Sequence, residues 1–254
     1  MNVRAVIAPA ALIGALLCAW EFSAHFAHVP EYLLPTPVAI GNALVANAPL
    51  LLVSAWRTLA MSLEALVVAA IAAIGLALIV SLSQTLDRAV RPIAVALQVT
   101  PVVAIAPLFV IWAGVDHPDR AIIALAAIVA FFPVFSGTAR GLGSADPDLE
   151  RLFDLYGANR LQRLLRLRVP SAVPFIVEGT KVASGLAIIG TVVAEWVAGS
   201  GGAQGLAWRI LEAGNRLETA KMFAAILALA LMAAAVHVAF LFLERRALRW
   251  WRGR

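Results

Sequence analysis

The sequence predicts an all-α polytopic membrane protein with six transmembrane helices, and three observations lead there. Hydrophobic residues fill 62% of the 254 positions and charged residues only 14%, with a mean hydropathy of +0.90, far from an ordinary globular composition. Charge-free windows run over Ala65–Leu86, Pro92–Val115, Ala121–Ala139 and Met222–Leu243. Each approaches or exceeds the roughly 20 residues that cross about 30 Å of hydrocarbon. Barrel-like alternation is missing, which leaves helices as the way to satisfy backbone polar groups in lipid.

Taken in order, the first span covers Ala5–Trp20 and continues past Glu21 into apolar sequence. Arg4 followed by apolar residues also fits a cleaved signal peptide. Leu17 before Cys18 is not the small residue a lipoprotein site wants, and no small-x-small cleavage site closes the stretch. It is read as helix one, about 3–26. Residues 27–57 are expected outside the membrane, with HVPEYLLPTPVAI held extended by Pro30, Pro35 and Pro37 and GNALVANAPLLLVSAW lying along the outer surface. DRAVRP (87–92) is expected as a tight inner turn and DHPDR (116–120) as a tight outer one. The fifth span, Pro170–Ala198, is interrupted by Glu178, Lys181 and Glu195. The loop 199–221 opens with Gly199, Gly201, Gly202 and Gly205 and is polar after that. No repeat or linker divides the chain, so residues 1–254 are read as one transmembrane domain with its core at about 55–245.

Orientation follows from the positive-inside bias. With the N-terminus inside, Arg4, Arg88, Arg91, Arg140, Arg151, Arg160, Arg163, Arg166, Arg168, Arg245, Arg246, Arg249, Arg252 and Arg254 are cytoplasmic. Arg57, Arg120, Arg209, Arg216 and Lys221 are left outside. Both termini are therefore expected in the cytoplasm. The net charge of +5 is accounted for by orientation and lipid contact, without nucleic-acid binding. Lone Cys18 forms no intrachain disulfide.

The basic loop between spans four and five is the most informative segment. Leu149, Leu152, Phe153 and Tyr156 fall at i, i+3, i+4 and i+7, the pattern of an amphipathic helix. Asp146 is placed to cap it and Pro147 to open it. Gly157 then offers a positive φ as a helix stop. A second short helix carries Leu161, Leu164 and Leu165 on one side and Arg160, Arg163 and Arg166 on another, with Pro170 expected to end it. Periodicity alone allows two uses: an interfacial pair extending its arginines to anionic headgroups, or a handle for a soluble partner.

Within the spans, Pro101, Pro107 and Pro133 break backbone bonds at membrane depth. Gly137-x3-Gly141 and the small residues Ala183, Ser184, Gly185, Ala187 and Gly190 permit close helix approach. Glu178 and Lys181, three apart, are expected to pair near the inner interface. Glu195 beside Trp196 is either an interfacial anchor or a cavity-facing group. His237 is expected to be packed or hydrogen-bonded. Trp112, Phe131 and Phe132 belong to an aromatic belt or stack on an aromatic solute.

Catalytic patterns are missing. His25, His28, His117 and His237 lack metal-ligand spacing and no HExxH occurs. Lys181 and Lys221 follow Thr180 and Ala220, so no Gly-Lys-Ser/Thr phosphate loop exists. The chain is expected to bind no metal or cofactor itself and not to be an enzyme.

The loop resembles the EAA loop of type I ABC importer permeases, the inner-membrane components of binding-protein-dependent uptake systems. That pattern is Glu-Ala-Ala, three residues, Gly, nine residues, aliphatic, any residue, aliphatic, Pro. Gly157 is followed by nine residues and then Leu167, Arg168, Val169 and Pro170. The upstream part departs, with Arg151-Leu152-Phe153 where Glu-Ala-Ala stands and Glu150 one position early. LLPTPVAI, TPVVAIAPLFVIWAG (100–114) and GTKVASGLAIIGTVVAEWVAG (179–199) resemble segments of the nitrate/sulfonate/taurine branch. AEWVAG followed by GLAWRILEAGNRLETAKMFAAI is similar to members handling thiamine-pyrimidine or riboflavin-type solutes.

The resemblance implies a cytoplasmic coupling helix between spans four and five that docks on a separate ATP-binding subunit, through Glu150, Arg151, Leu152, Phe153, Asp154, Gly157, Ala158 and Pro170. The altered upstream part leaves Glu150 or Asp154 to supply the usual acidic contact. It implies a homodimer in the bacterial inner membrane with a solute path near Trp112, Phe132, Thr191 and Glu195. ATP would be used by the partner subunit, and an extracytoplasmic solute-binding protein would deliver the solute. The alternative is an ion-gradient-driven secondary transporter, which would lead one to expect inverted repeats or more cavity-facing acids; neither is detected.

Overall fold

The computed structural model of this protein describes residues 3–26, 30–99, 101–114, 117–198 and 204–251. His28, Thr100, Val115, Asp116, Gly199, Gly201, Gly202, Arg252 and Arg254, all used above, lie outside the described residues. Regular structure among the described residues is helical, with no strand. In order come α1 (Val3–Phe26), α2 (Pro37–Ala46), α3 (Ala48–Ser81), α4 (Gln84–Val99), α5 (Val102–Ala113), α6 (Pro118–Leu142), α7 (Pro147–Leu155), α8 (Arg160–Arg163), a π turn (Leu164–Arg168), α9 (Val169–Ala198), α10 (Leu206–Asn215) and α11 (Thr219–Trp251). By length and composition four helical stretches can cross a membrane: Ala48–Ser81, Pro118–Leu142, Arg160–Val197 and Thr219–Arg249. Ala11–Phe26, Pro37–Ala46 and Val102–Ala113 are shorter apolar helices.

Contacts gather the chain into two compact units, residues 1–57 with 204–231 and residues 58–203 with 232–254. In the first, Pro37 does not keep the chain extended; it occupies the opening turn of α2, where its missing N–H is no loss. Thr36 Oγ1 accepts from the Ala39 N–H at 3.2 Å, and the Glu21 carboxylate accepts from the Val38 N–H at 3.1 Å. The stretch GNALVANAPLLLVSAW, expected along the outer surface, is shared between two helices: residues 41–46 close α2 and residues 48–56 open α3, which then runs unbroken to Ser81. The polar stretch after Gly205 is also no loop. It forms α10, whose Leu206, Ala207 and Ala213 are buried. Arg209 ties α10 to α3, with Nε donating to Ser54 Oγ at 3.2 Å and Nη1 to Glu212 at 2.7 Å.

The second unit is built on α6 and α9. Gly137 and Gly179 let the two backbones touch. A Cβ on Gly179 would lie 2.7 Å from the Pro133 carbonyl oxygen, and one on Gly137 2.8 Å from that of Phe175. Gly141 and Gly190 are equally close to Ala172 and Ala126, which realises the expected small-residue packing. Gly185 is the exception: it faces outward, with nothing within 4 Å of its Cβ position. Ala65, Ala69, Ala73 and Ala77 of α3, Ala126 and Ala130 of α6 and Ala183 and Ala187 of α9 form the core. A second cluster joins Met61, Ala106, Ile122, Leu125 and Ala194.

Two further expectations are corrected. DRAVRP is not a turn but the middle of the amphipathic helix α4, where Asp87 and Arg91 pair at 2.8 Å across one helical turn. The reversal lies at Leu82 and Ser83. Pro170 does not end the basic helix. The π turn hands the chain into α9, with the Val169 N–H bonding five residues back to Leu164, and this wider winding absorbs a proline without stopping the helix.

Candidate functional site

The 146–170 hairpin is assembled from local capping. Asp146 accepts from the Asp148 N–H at 2.8 Å, Pro147 opens α7, and Gly157 takes a φ of +64°. A residue with a Cβ is strained there by about 1–2 kcal/mol. Asn159 and Gln162 form a reciprocal capping box at 2.8 and 3.0 Å, which starts α8. The Asn-x-x-Gln spacing makes this box legible in the sequence.

Long-range ion pairs then close the hairpin. Arg168 Nε donates to Glu150 at 2.7 Å, Arg163 Nη1 reaches the other Glu150 oxygen at 3.2 Å, and Arg163 also binds Asp154. Single surface pairs contribute little, about 0–1 kcal/mol each. Here two acids and two arginines form one network that holds α7 against the π turn. The two acids foreseen as partner contacts are therefore engaged within the chain. Among the described residues Arg151 pairs only with Asp148, and both are exposed.

What α7 leaves uncovered is apolar. Leu149 and Leu152 are about half exposed, while Leu155 and Tyr156 are 85% and 83% exposed. Phe153 and Ala158 are half-buried, and Pro170 is exposed with its carbonyl accepting the Trp251 indole N–H at 2.9 Å. A short helix clamped by its acids and showing a leucine–tyrosine stripe is suited to seat in a groove of another protein.

The residues foreseen for a solute path differ widely in exposure. Glu195 is not an interfacial anchor. Its side chain is fully buried and accepts a hydrogen bond from Thr58 Oγ1 at 2.8 Å. Thr191 is also fully buried, donating to the Ala187 carbonyl at 2.9 Å. Phe132 is half-buried, and Trp112 is 68% exposed beside Phe109. Phe131 stacks on Phe135. His237 is exposed rather than packed. The Glu178–Lys181 pair does not form: Lys181 Nζ binds Glu244 of α11 at 2.9 and 3.0 Å, and Glu178 is exposed. The partner lies 63 positions away, so no local spacing announced it.

Comparisons with known proteins give the family of this chain. Residues 65–249 match the family described as the binding-protein-dependent transport system inner membrane component, and the chain belongs to that family, as a permease subunit of the ABC importer class rather than a secondary transporter. A probable ABC transporter permease protein of Haemophilus influenzae is 30% identical, covering 90% of this chain and 91% of its own. A formylaminopyrimidine transport permease of Halalkalibacterium halodurans is 32% identical over 92% of each chain. A putative aliphatic sulfonates transport permease of Bacillus subtilis is 32% identical over 57% of this chain and 50% of its own.

Proposed function

We propose that this permease crosses the inner membrane with six helices and pairs with a second copy to enclose a solute path. Residues 1–254 act as one permease domain, with both termini and the 146–170 hairpin on the cytoplasmic side. The chain hydrolyses no ATP and holds no cofactor; a cytoplasmic ATP-binding subunit receives α7, and an extracytoplasmic binding protein delivers solute. Coupling then means that the docked hairpin fits the closed ATPase pair better in one transmembrane state than in the other. The observation that carries this reading is the exposed stripe Leu149, Leu152, Leu155 and Tyr156 on a helix whose own acids fix its angle.

For the solute, the likeness over 92% of each chain to a formylaminopyrimidine permease favours a small nitrogen heterocycle over nitrate or a sulfonate. Trp112, Phe132, Thr191 and Glu195 take part in the path only when helices α5, α6 and α9 move, since two of the four are fully buried here. Leu152→Asp places a charge in the docking stripe. It should abolish uptake and solute-stimulated ATP hydrolysis in the reconstituted transporter while leaving membrane insertion intact, and Gly157→Val should do the same by tilting the hairpin. Wild-type transport by Leu152→Asp would rule out docking through this face.

A further inference from the structure

Beside the hairpin, the second unit holds a cavity of about 460 Å³ whose lining includes Ser81, Ser83, Gln84, Arg160, Arg163 and Arg168. No acid lines it. Ser81 is the last residue of α3, whose 34 residues span about 51 Å at 1.5 Å per residue, so the cavity lies at the end of a membrane-crossing helix. On its other side α4 begins at Gln84, and a helix start carries partial positive charge. Leu86 and Ile93 lie on one side of α4 and Val95 and Val99 on the other, all exposed, so this helix offers apolar surface to lipid chains.

The geometry points to a site for the phosphodiester headgroup of an anionic phospholipid. Arg163 and Arg168 share Glu150 and Asp154, so three arginines face two acids and one positive charge is left over. Among the described residues, Arg160 has no ion-pair partner and is exposed. One surplus charge matches a phosphodiester, which carries one negative charge, better than the roughly two of free phosphate. Guanidinium groups also suit two-point contact with phosphate oxygens. The serine hydroxyls and the Gln84 amide supply polar partners for the remaining headgroup oxygens. Because Arg163 and Arg168 also clamp α7, an occupied site competes with Glu150 for the same donors and alters the hold on the coupling hairpin. That last consequence rests on the docking role proposed above; the binding itself does not.

The test uses the assembled transporter in nanodiscs of phosphatidylcholine containing phosphatidylglycerol, with retained lipid counted by native mass spectrometry. Wild-type protein should retain phosphatidylglycerol in preference to phosphatidylcholine, and Arg160→Gln should weaken that retention about tenfold, the usual cost of one charge-assisted contact. Arg160→Glu should abolish it. Leu152→Asp, which strikes docking, should retain lipid like wild type, so a failed transport reading and a failed lipid reading are told apart. Equal retention of both lipids, or unchanged retention in Arg160→Glu, would overturn the proposal. Displacement of the lipid by millimolar inorganic phosphate would also overturn it, since the site would then be filled from solution.

Discussion

Arg209 and Glu212 show how single residues set local electrostatics in this protein. The hydrogen bond from Arg209 holds the Glu212 carboxyl below the usual carboxylate range, aided by Arg216 and Lys221 and opposed by burial. A carboxyl whose pKa falls on folding stabilises the folded form above its unfolded value, and that contribution disappears as pH drops through the lower folded value. Glu212→Gln should therefore lower the melting temperature of the detergent-solubilised protein at pH 7. The gap from wild type should close on acidification below about pH 4. A gap that persists undiminished at low pH would show that packing, not charge, is at work. Glu150 belongs to the same scale: it stands one position from where the family pattern places its acid, and its charge is spent on Arg163 and Arg168.

At the scale of elements, α6 and α9 approach because glycine removes the atoms that would separate them. Membrane helices gain little hydrophobic drive from meeting each other, so close packing of small residues carries much of the association. Gly179→Leu must push its side chain into the Pro133 carbonyl, 2.7 Å from the Cβ position, and overpacking of this kind costs about 1–3 kcal/mol. The variant should aggregate on size-exclusion chromatography or melt several degrees lower. A Cβ on Gly185 of the same helix meets nothing within 4 Å, so Gly185→Leu should melt no lower than wild type. Similar losses in both variants would mean that the α6–α9 contact is not what glycine protects, since helix propensity itself favours leucine over glycine. The π turn before α9 is a second element-level device, carrying the chain past Pro170 without a break.

For the molecule as a whole, sidedness decides whether the hairpin can meet an ATPase at all. Replacing Cys18 by Ser leaves no native thiol, since it is the single cysteine. Cysteines introduced as Ser144→Cys and Asn215→Cys, both at exposed positions, then report topology. In intact cells a membrane-impermeant maleimide should label the Asn215 variant through the outer membrane's pores and reach the Ser144 variant only after the inner membrane is opened. Labelling of the Ser144 variant in intact cells would place the hairpin on the wrong side and end the coupling account.

Much was legible from local pattern. Apolar windows marked the long helices because hydrocarbon demands them, and Asp146, Pro147 and Gly157 announced the bounds of α7 because capping and positive φ are one-turn phenomena. The small-residue runs announced the α6–α9 contact, though not which glycines took part: Gly179 was missed and Gly185 misassigned. Residues 87–92 of α4 and the stretch that forms α10 look like turn and loop, because a Pro-bearing or polar stretch reads alike in both until packing supplies one covered face. What tertiary structure alone decided were the pairings across distance, Lys181 with Glu244, Glu195 with Thr58 and Glu150 with Arg168. Charge and hydrogen-bonding needs are written in each residue, but the partner that meets them is chosen only when the chain brings remote helices within about 3 Å.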